Sequence, residues 1–173
     1  SYDCRSKSLL KEVSLNFNNV IVSTGASFDS EISDAAKIFS KNQATFLHCV
    51  TIYPTPLDQL HMKRMDWLRQ FSTKVGFSDH TTPAATNLKA SMLAMTLNAD
   101  LVERHFTVLE PNETRDGPVS INPYQLRTLC NFAKLPLESR IEILSTDWPE
   151  WKLGLGERTR DLSATELLNR DYY

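Results

Sequence analysis

The 173-residue sequence predicts a parallel α/β fold, and three observations carry the prediction. Short β-branched or apolar runs alternate four times with segments of helical periodicity. The loops between them are rich in Ser, Thr, Pro and Gly. A hydrophobic content of 41% at this length builds one core, not two.

The first unit opens with Asn19-Val20-Ile21-Val22-Ser23-Thr24-Gly25, a β-branched run stopped by a glycine. Ser27 or Ser30 then caps a helix through about residue 40, with Glu31 placing an acid at its positive end. In the second unit, residues 45–50 read as a strand, Tyr53-Pro54-Thr55-Pro56 as a loop, and residues 58–71 as a helix with Leu60, Met65, Trp67, Leu68 and Phe71 on its apolar face. The third has residues 74–77 as a short strand, 78–82 as the loop, and a helix over 83–97, where Pro83 suits the first turn. The fourth strand covers residues 100–106, a loop runs to Ser120, and Asn122-Pro123 opens a helix ending near Lys134. A last helix over 136–144 precedes a polar, irregular tail. Residues 1–147 thus form the α/β part and 148–173 a tail or linker, where Gly154, Gly156 and alternating charge replace periodic apolar residues. Four such units make either a small open sheet or half of an eight-stranded barrel.

Composition narrows the function. Lys plus Arg is 19 against 21 Asp plus Glu, with no block of like charge, which argues against nucleic acid as a partner. Cys4, Cys49 and Cys130 are widely spaced, form neither a disulfide framework nor a zinc knuckle, and fit a reducing cytoplasm. No apolar run reaches the roughly 18 residues of a membrane helix. The start, Ser1-Tyr2-Asp3-Cys4-Arg5, has neither an initiator Met nor a signal-peptide pattern and reads as a cut.

In parallel α/β folds catalytic groups gather at the C-terminal ends of the strands. His80 and His105 end successive strands, about 5 Å apart in a sheet, and can converge on one metal ion. From spacing alone, two unrelated rim histidines are the plainer reading. Ser23, Ser78 and Tyr53 offer neutral donors for a phosphate or carboxylate, although serines there also form turns. His48, inside a strand, reads as a satisfied core histidine, and His61 as a helix-surface residue. Cys49 reads as a buried strand thiol. The Trp and Met residues read as helix packing, and residues 157–161 as a solvated charged surface.

At these strand ends the segments Val22-Ser23-Thr24-Gly25, Leu47-His48-Cys49-Val50-Thr51-Ile52-Tyr53-Pro54-Thr55-Pro56, Gly76-Phe77-Ser78-Asp79-His80-Thr81 and Glu103-Arg104-His105-Phe106-Thr107, in that order, resemble the N-acetylneuraminate synthase family. The likeness continues through Asp116-Gly117-Pro118-Val119-Ser120-Ile121-Asn122-Pro123 and covers about residues 1–135. It implies a (β/α)8 TIM-type barrel followed by an antifreeze-like domain in a homodimer, with this chain supplying about the fifth to eighth units. It also implies condensation of phosphoenolpyruvate with an N-acetylated amino sugar, typically N-acetylmannosamine, assisted by Mn2+ or Mg2+. By the resemblance His80 and His105 are metal ligands and, together with Asp3, catalytic groups. Ser1, Ser23, Ser78 and Tyr53 match positions that hold phosphoenolpyruvate, and Asp3 and Asp116 match carboxylates near the sugar. Thr51 stands where the family often has Asn, Asp3 where Glu is usual, and Thr114-Arg115-Asp116 where Gly-Pro-Asp is usual. These departures leave open a related sugar, such as a legionaminate or pseudaminate precursor or a 6-phosphate, and a degenerate sugar-binding or assembly domain. Groups expected from the first strands are missing, so the fragment alone is expected to be inactive.

Overall fold

A computed structural model describes the backbone of residues 2–172 and the side chains of residues 2–170. A 3-10 turn, Tyr2–Arg5, and helix α1 (Lys7–Asn16) lead into strand β1 (Val20–Ser23) and helix α2 (Asp29–Ala36). Strand β2 (Ala44–Cys49) and the short helix α3 (Arg64–Leu68) follow, then β3 (Lys74–Asp79), α4 (Pro83–Thr86) and α5 (Lys89–Thr96). Strand β4 (Leu101–Arg104), α6 (Pro123–Ala133), α7 (Leu137–Asp147) and α8 (Ala164–Tyr172) complete the chain. The strands pair in the order β1-β2-β3-β4, every neighbour parallel, as crossover connections require.

Alternate residues of each strand face opposite ways. Val22, Phe46, Val75 and Phe77 join Ile32, Leu60, Met65, Leu68 and Leu93 of the crossover segments in one buried apolar cluster. On the opposite face the register aligns Ser23, Leu47, Gly76 and Leu101 in one layer, and Cys49, Ser78 and Glu103 in the next. Gly76 is required there: a Cβ would lie 2.3 Å from the Leu101 carbonyl oxygen and 2.6 Å from Leu47 Cδ2. Ile21, also on this face, is 57% exposed, so the second face is only partly covered. Among the described residues β1 and β4 each have one strand neighbour, and an apolar cavity of about 340 Å³ lined by Val102, Phe106 and Ile121 lies beside β4.

Several elements differ from the expected ones for identifiable reasons. The helix expected over 58–71 is reduced to a 3-10 turn, Leu57–Gln59, and α3. His61 adopts φ 49°, and the N–H groups of Met62 and Lys63 donate to the carbonyls of Gly154 and Leu155 instead of to the preceding turn. His61 therefore sits in a loop, where its Nδ1 accepts from the Glu157 N–H. The helix expected over 83–97 is broken by left-handed Asn87 and Leu88. Strand β3 runs on to Asp79, so Ser78 and Asp79 belong to the sheet, whereas β4 stops at Arg104. Asn122 caps α6 as expected, accepting from the Gln125 N–H at 2.9 Å.

The tail has regular structure. Ser163 and Glu166 form a reciprocal cap at the start of α8. Arg160, read as part of a solvated charged surface, instead makes a bidentate pair with Glu166 at 2.6 and 2.7 Å, both side chains largely buried. Burial opposes the Glu166 charge, but Arg160 outweighs it and holds the carboxyl below its ordinary range. Arg170 clasps Glu31 at 2.6 and 2.8 Å, donates to the Ala26 carbonyl, and stacks 4.5 Å over the Phe28 ring.

Candidate active site

The strand ends on the partly covered face bring together most of the residues singled out in the sequence. The His80 and His105 rings lie 5.3 Å apart between centroids, and Tyr53 packs 4.2 Å from His80 and 6.3 Å from His105. His80 is buried and its two nitrogens have distinct partners: Nδ1 faces the Val50 carbonyl at 3.3 Å and Nε2 the Tyr53 hydroxyl at 3.1 Å. A carbonyl only accepts, so Nδ1 carries the hydrogen and the Nε2 lone pair accepts from the Tyr53 hydroxyl. Burial, reinforced by His105, holds the His80 pKa down at about 4, so the ring is neutral near pH 7. Asp116 Oδ2 lies 3.7 Å from His105 Nδ1.

Beneath this pair the Cys49 thiol lies between the Ser23 and Ser78 hydroxyls, and burial pushes it up to about 11. That makes it an inert packing thiol. Ser78 donates to Glu103 at 2.6 Å. Glu103, Ser23 and Asp3 share one cavity of about 330 Å³. A second, of about 560 Å³, is walled by Tyr53, His105 and Asp116 with Tyr2, Arg115 and, from the tail helix, Thr165 and Asn169. Thr51 is buried at the end of β2, its hydroxyl without a hydrogen bond among the described residues. Ser1 lies outside the described residues. His48 is the core histidine expected: its Nε2 meets the Leu60 carbonyl at 2.6 Å, and full burial holds it at about 3.

One buried network supports the rim. Arg104, 4% exposed, pairs with Asp79 at 2.5 Å and donates to the carbonyls of Asp79, Thr81 and Val119 at 3.1 Å each. Asp79 also accepts from the Thr81 N–H and the Ser91 hydroxyl. The network fixes the backbone beside His80 and ties it to the segment following Asp116.

Sequence reasoning missed Glu103, although the two-residue strand period places it on the face of His105. It also missed Arg104 with Asp79, and Thr165 with Asn169. For the tail pair the available signal was the capping pattern Ser163-Ala164-Thr165-Glu166, which opens α8.

The arrangement defines a class: a parallel α/β half-barrel with a polar, histidine-bearing site at its C-terminal strand ends. The model of the NeuB family matches residues 1–136, and the chain belongs to that family. It is 35% identical over 127 residues to the N,N'-diacetyllegionaminic acid synthase of Campylobacter jejuni, covering 70% of this chain and 37% of that protein. A pseudaminic acid synthase of the same species is 26% identical over 174 residues, covering 98% of this chain and 45% of that one. Among solved structures, the spore coat polysaccharide biosynthesis protein SpsE of Bacillus subtilis superposes with a TM-score of 0.79 at 26% identity, covering 96% of this chain and 46% of that one. The N-acetylneuraminic acid synthetase of Leptospira borgpetersenii gives 0.68 at 26%, covering 98% and 54%. The chain spans less than half the length of these curated relatives. Among the described residues no helix is long and apolar enough to cross a membrane.

Proposed function

We propose that the gene product carrying this chain condenses phosphoenolpyruvate with an N-acetylated amino sugar, converting N-acetylmannosamine to N-acetylneuraminate and phosphate. The observation that carries the reading is the neutral His80 beside His105, Tyr53 and Asp116 at adjoining strand ends in a chain of the NeuB family. In the reaction C3 of phosphoenolpyruvate bonds to the sugar aldehyde carbon, a water oxygen joins C2, and phosphate leaves by C–O cleavage.

The two imidazoles, 5.3 Å apart between ring centroids, offer nitrogen ligands to a divalent ion, and Mn2+ or Mg2+, which favour oxygen donors, would need carboxylate, carbonyl or water ligands beside them. Bound by His80 and His105, Mn2+ or Mg2+ would supply Lewis-acid polarisation of the sugar carbonyl. Among the described residues no group of three or more His, Cys, Asp or Glu forms a metal cluster, so further ligands would come from elsewhere. The Val50 carbonyl sets the His80 tautomer. Ser23, Ser78, Thr51 and Tyr53 would hold the phosphate and carboxylate of phosphoenolpyruvate, and Asp3 and Asp116 would accept hydrogen bonds from the sugar. Glu103 orients the Ser78 hydroxyl.

A second reading, a 2,4-diacetamido sugar giving a legionaminic-type acid, is favoured by the 35% identity to a synthase of that name. The test is Mn2+-dependent product formation by the gene product with phosphoenolpyruvate and each sugar in turn. His80→Ala and His105→Ala should each abolish it; activity retained in both would sink the metal assignment. Sugar binding without turnover on any substrate would mark a degenerate binding domain.

A further inference from the structure

The tail helix does more than connect. Thr165 is exposed and lines the larger cavity opposite Tyr53, His105 and Asp116. Asn169 lines the same cavity, donates its amide to the Thr51 carbonyl, and accepts from the Tyr2 hydroxyl through its backbone oxygen at 3.2 Å. The helix is anchored at both ends, by Arg160 with Glu166 and by Arg170 with Glu31. A wall fixed in this way holds its side chains in place before a ligand arrives, which is what discrimination between similar ligands needs.

We infer that α8 forms the outer wall of the amino-sugar subsite, with Thr165 and Asn169 selecting an uncharged sugar through hydrogen bonds to its hydroxyl or acetamido groups. The inference rests on the proposed condensation reaction. The smaller cavity, with Asp3, Ser23 and Glu103, is not touched by α8, whereas the larger one holds Asp116 and His105; among its lining residues it shares only Tyr53 with the set assigned to phosphoenolpyruvate. Apart from His105, the charged side chains of the larger cavity are one guanidinium, Arg115, and one carboxylate, Asp116. The rest of the polar wall is neutral. Away from the metal that His105 would hold, a sugar phosphate would bring about two negative charges against one guanidinium that Asp116 offsets, whereas a neutral acetamido sugar matches the hydrogen-bonding groups of α8.

The experiment is steady-state kinetics of the intact gene product with Mn2+ and phosphoenolpyruvate against N-acetylmannosamine, its 6-phosphate and a 2,4-diacetamido sugar. Calorimetric binding of each sugar runs in parallel and does not depend on turnover. Thr165→Val should raise the KM for the sugar about three- to tenfold, as loss of one neutral hydrogen bond does, and leave kcat and the KM for phosphoenolpyruvate within about twofold. Thr165→Ser should restore the sugar KM. An unchanged sugar KM in Thr165→Val, or an equal rise in both KM values, overturns the wall assignment while leaving the reaction intact. Preference for the 6-phosphate overturns the charge argument. If the wild type turns over no sugar, the function fails, and the calorimetric comparison of wild type with Thr165→Val alone decides the wall: equal binding, or none, overturns it.

Discussion

Replacing Arg104 by Met removes the cation at the centre of the network under the rim and keeps most of the side-chain volume. The guanidinium is 4% exposed and its partner Asp79 is 0% exposed, so water cannot take its place. After the change Asp79 keeps two donors, the Thr81 N–H and the Ser91 hydroxyl, but loses its countercharge, and the carbonyls of Asp79, Thr81 and Val119 lose a donor. An uncompensated buried charge costs about 3–5 kcal/mol. Because Arg104 links the strand carrying His80 to the segment after Asp116, the sugar KM should rise as well. The double variant Asp79→Asn/Arg104→Met removes both charges and should recover a substantial part of the loss, since a neutral amide can keep the hydrogen bonds. Urea denaturation of the gene product followed by tryptophan fluorescence measures each step. A loss below about 1 kcal/mol in the single variant, or a double variant as unstable as the sum of its parts, would refute the claim that the paired charges hold this rim.

Other expected outcomes follow from particular contacts. His48, held at about 3 by burial, binds its proton less readily in the folded state than in the unfolded one. The stability it confers is therefore complete above pH ~6.5 and falls by about 2–3 kcal/mol on acidification to pH ~4.5; a His48→Gln variant with an equally steep pH dependence would contradict this. Gly76→Ala forces a Cβ to within 2.3 Å of the Leu101 carbonyl, and should separate β3 from β4 at a cost above about 2 kcal/mol, read as a lowered denaturation midpoint. Mass-mapped labelling by a thiol reagent should modify exposed Cys130 at least tenfold faster than buried Cys4 and Cys49, whose thiols burial pushes up to about 11. Comparable rates at all of them would mean that the sheet opens readily.

The units were legible where local chemistry decides. The β-branched run ending at Gly25, the Asn122-Pro123 cap and the histidines at strand ends all report their own surroundings. The failures share a cause. The broken segment after Pro56 looks helical by its apolar residues, but its donors are taken by the carbonyls of Gly154 and Leu155, some ninety residues away in sequence. Helix α8 has a low apolar content, and it is held by ion pairs rather than by a buried stripe. Its residues are amphipathic, but Leu167 and Leu168 stay exposed, and the sequence does not reveal which distant side chains anchor the helix. Glu103 was visible in principle, because it shares a strand face with His105, but a carboxylate in a charged run, Glu103-Arg104-His105, looks like surface until its neighbours Ser78 and Asp79 are in place.

The clasp of Arg170 on Glu31 joins residues 139 apart in the chain. Closing so long a loop is entropically costly and brings no benefit until the strands between are assembled. A contact of that span is expected to form after the strands it bridges, so α8 should dock late in folding. On the proposed reading, a molecule whose α8 has frayed would keep His80 and His105 together but lose its outer wall, so selectivity between sugars would fail before the reaction itself does.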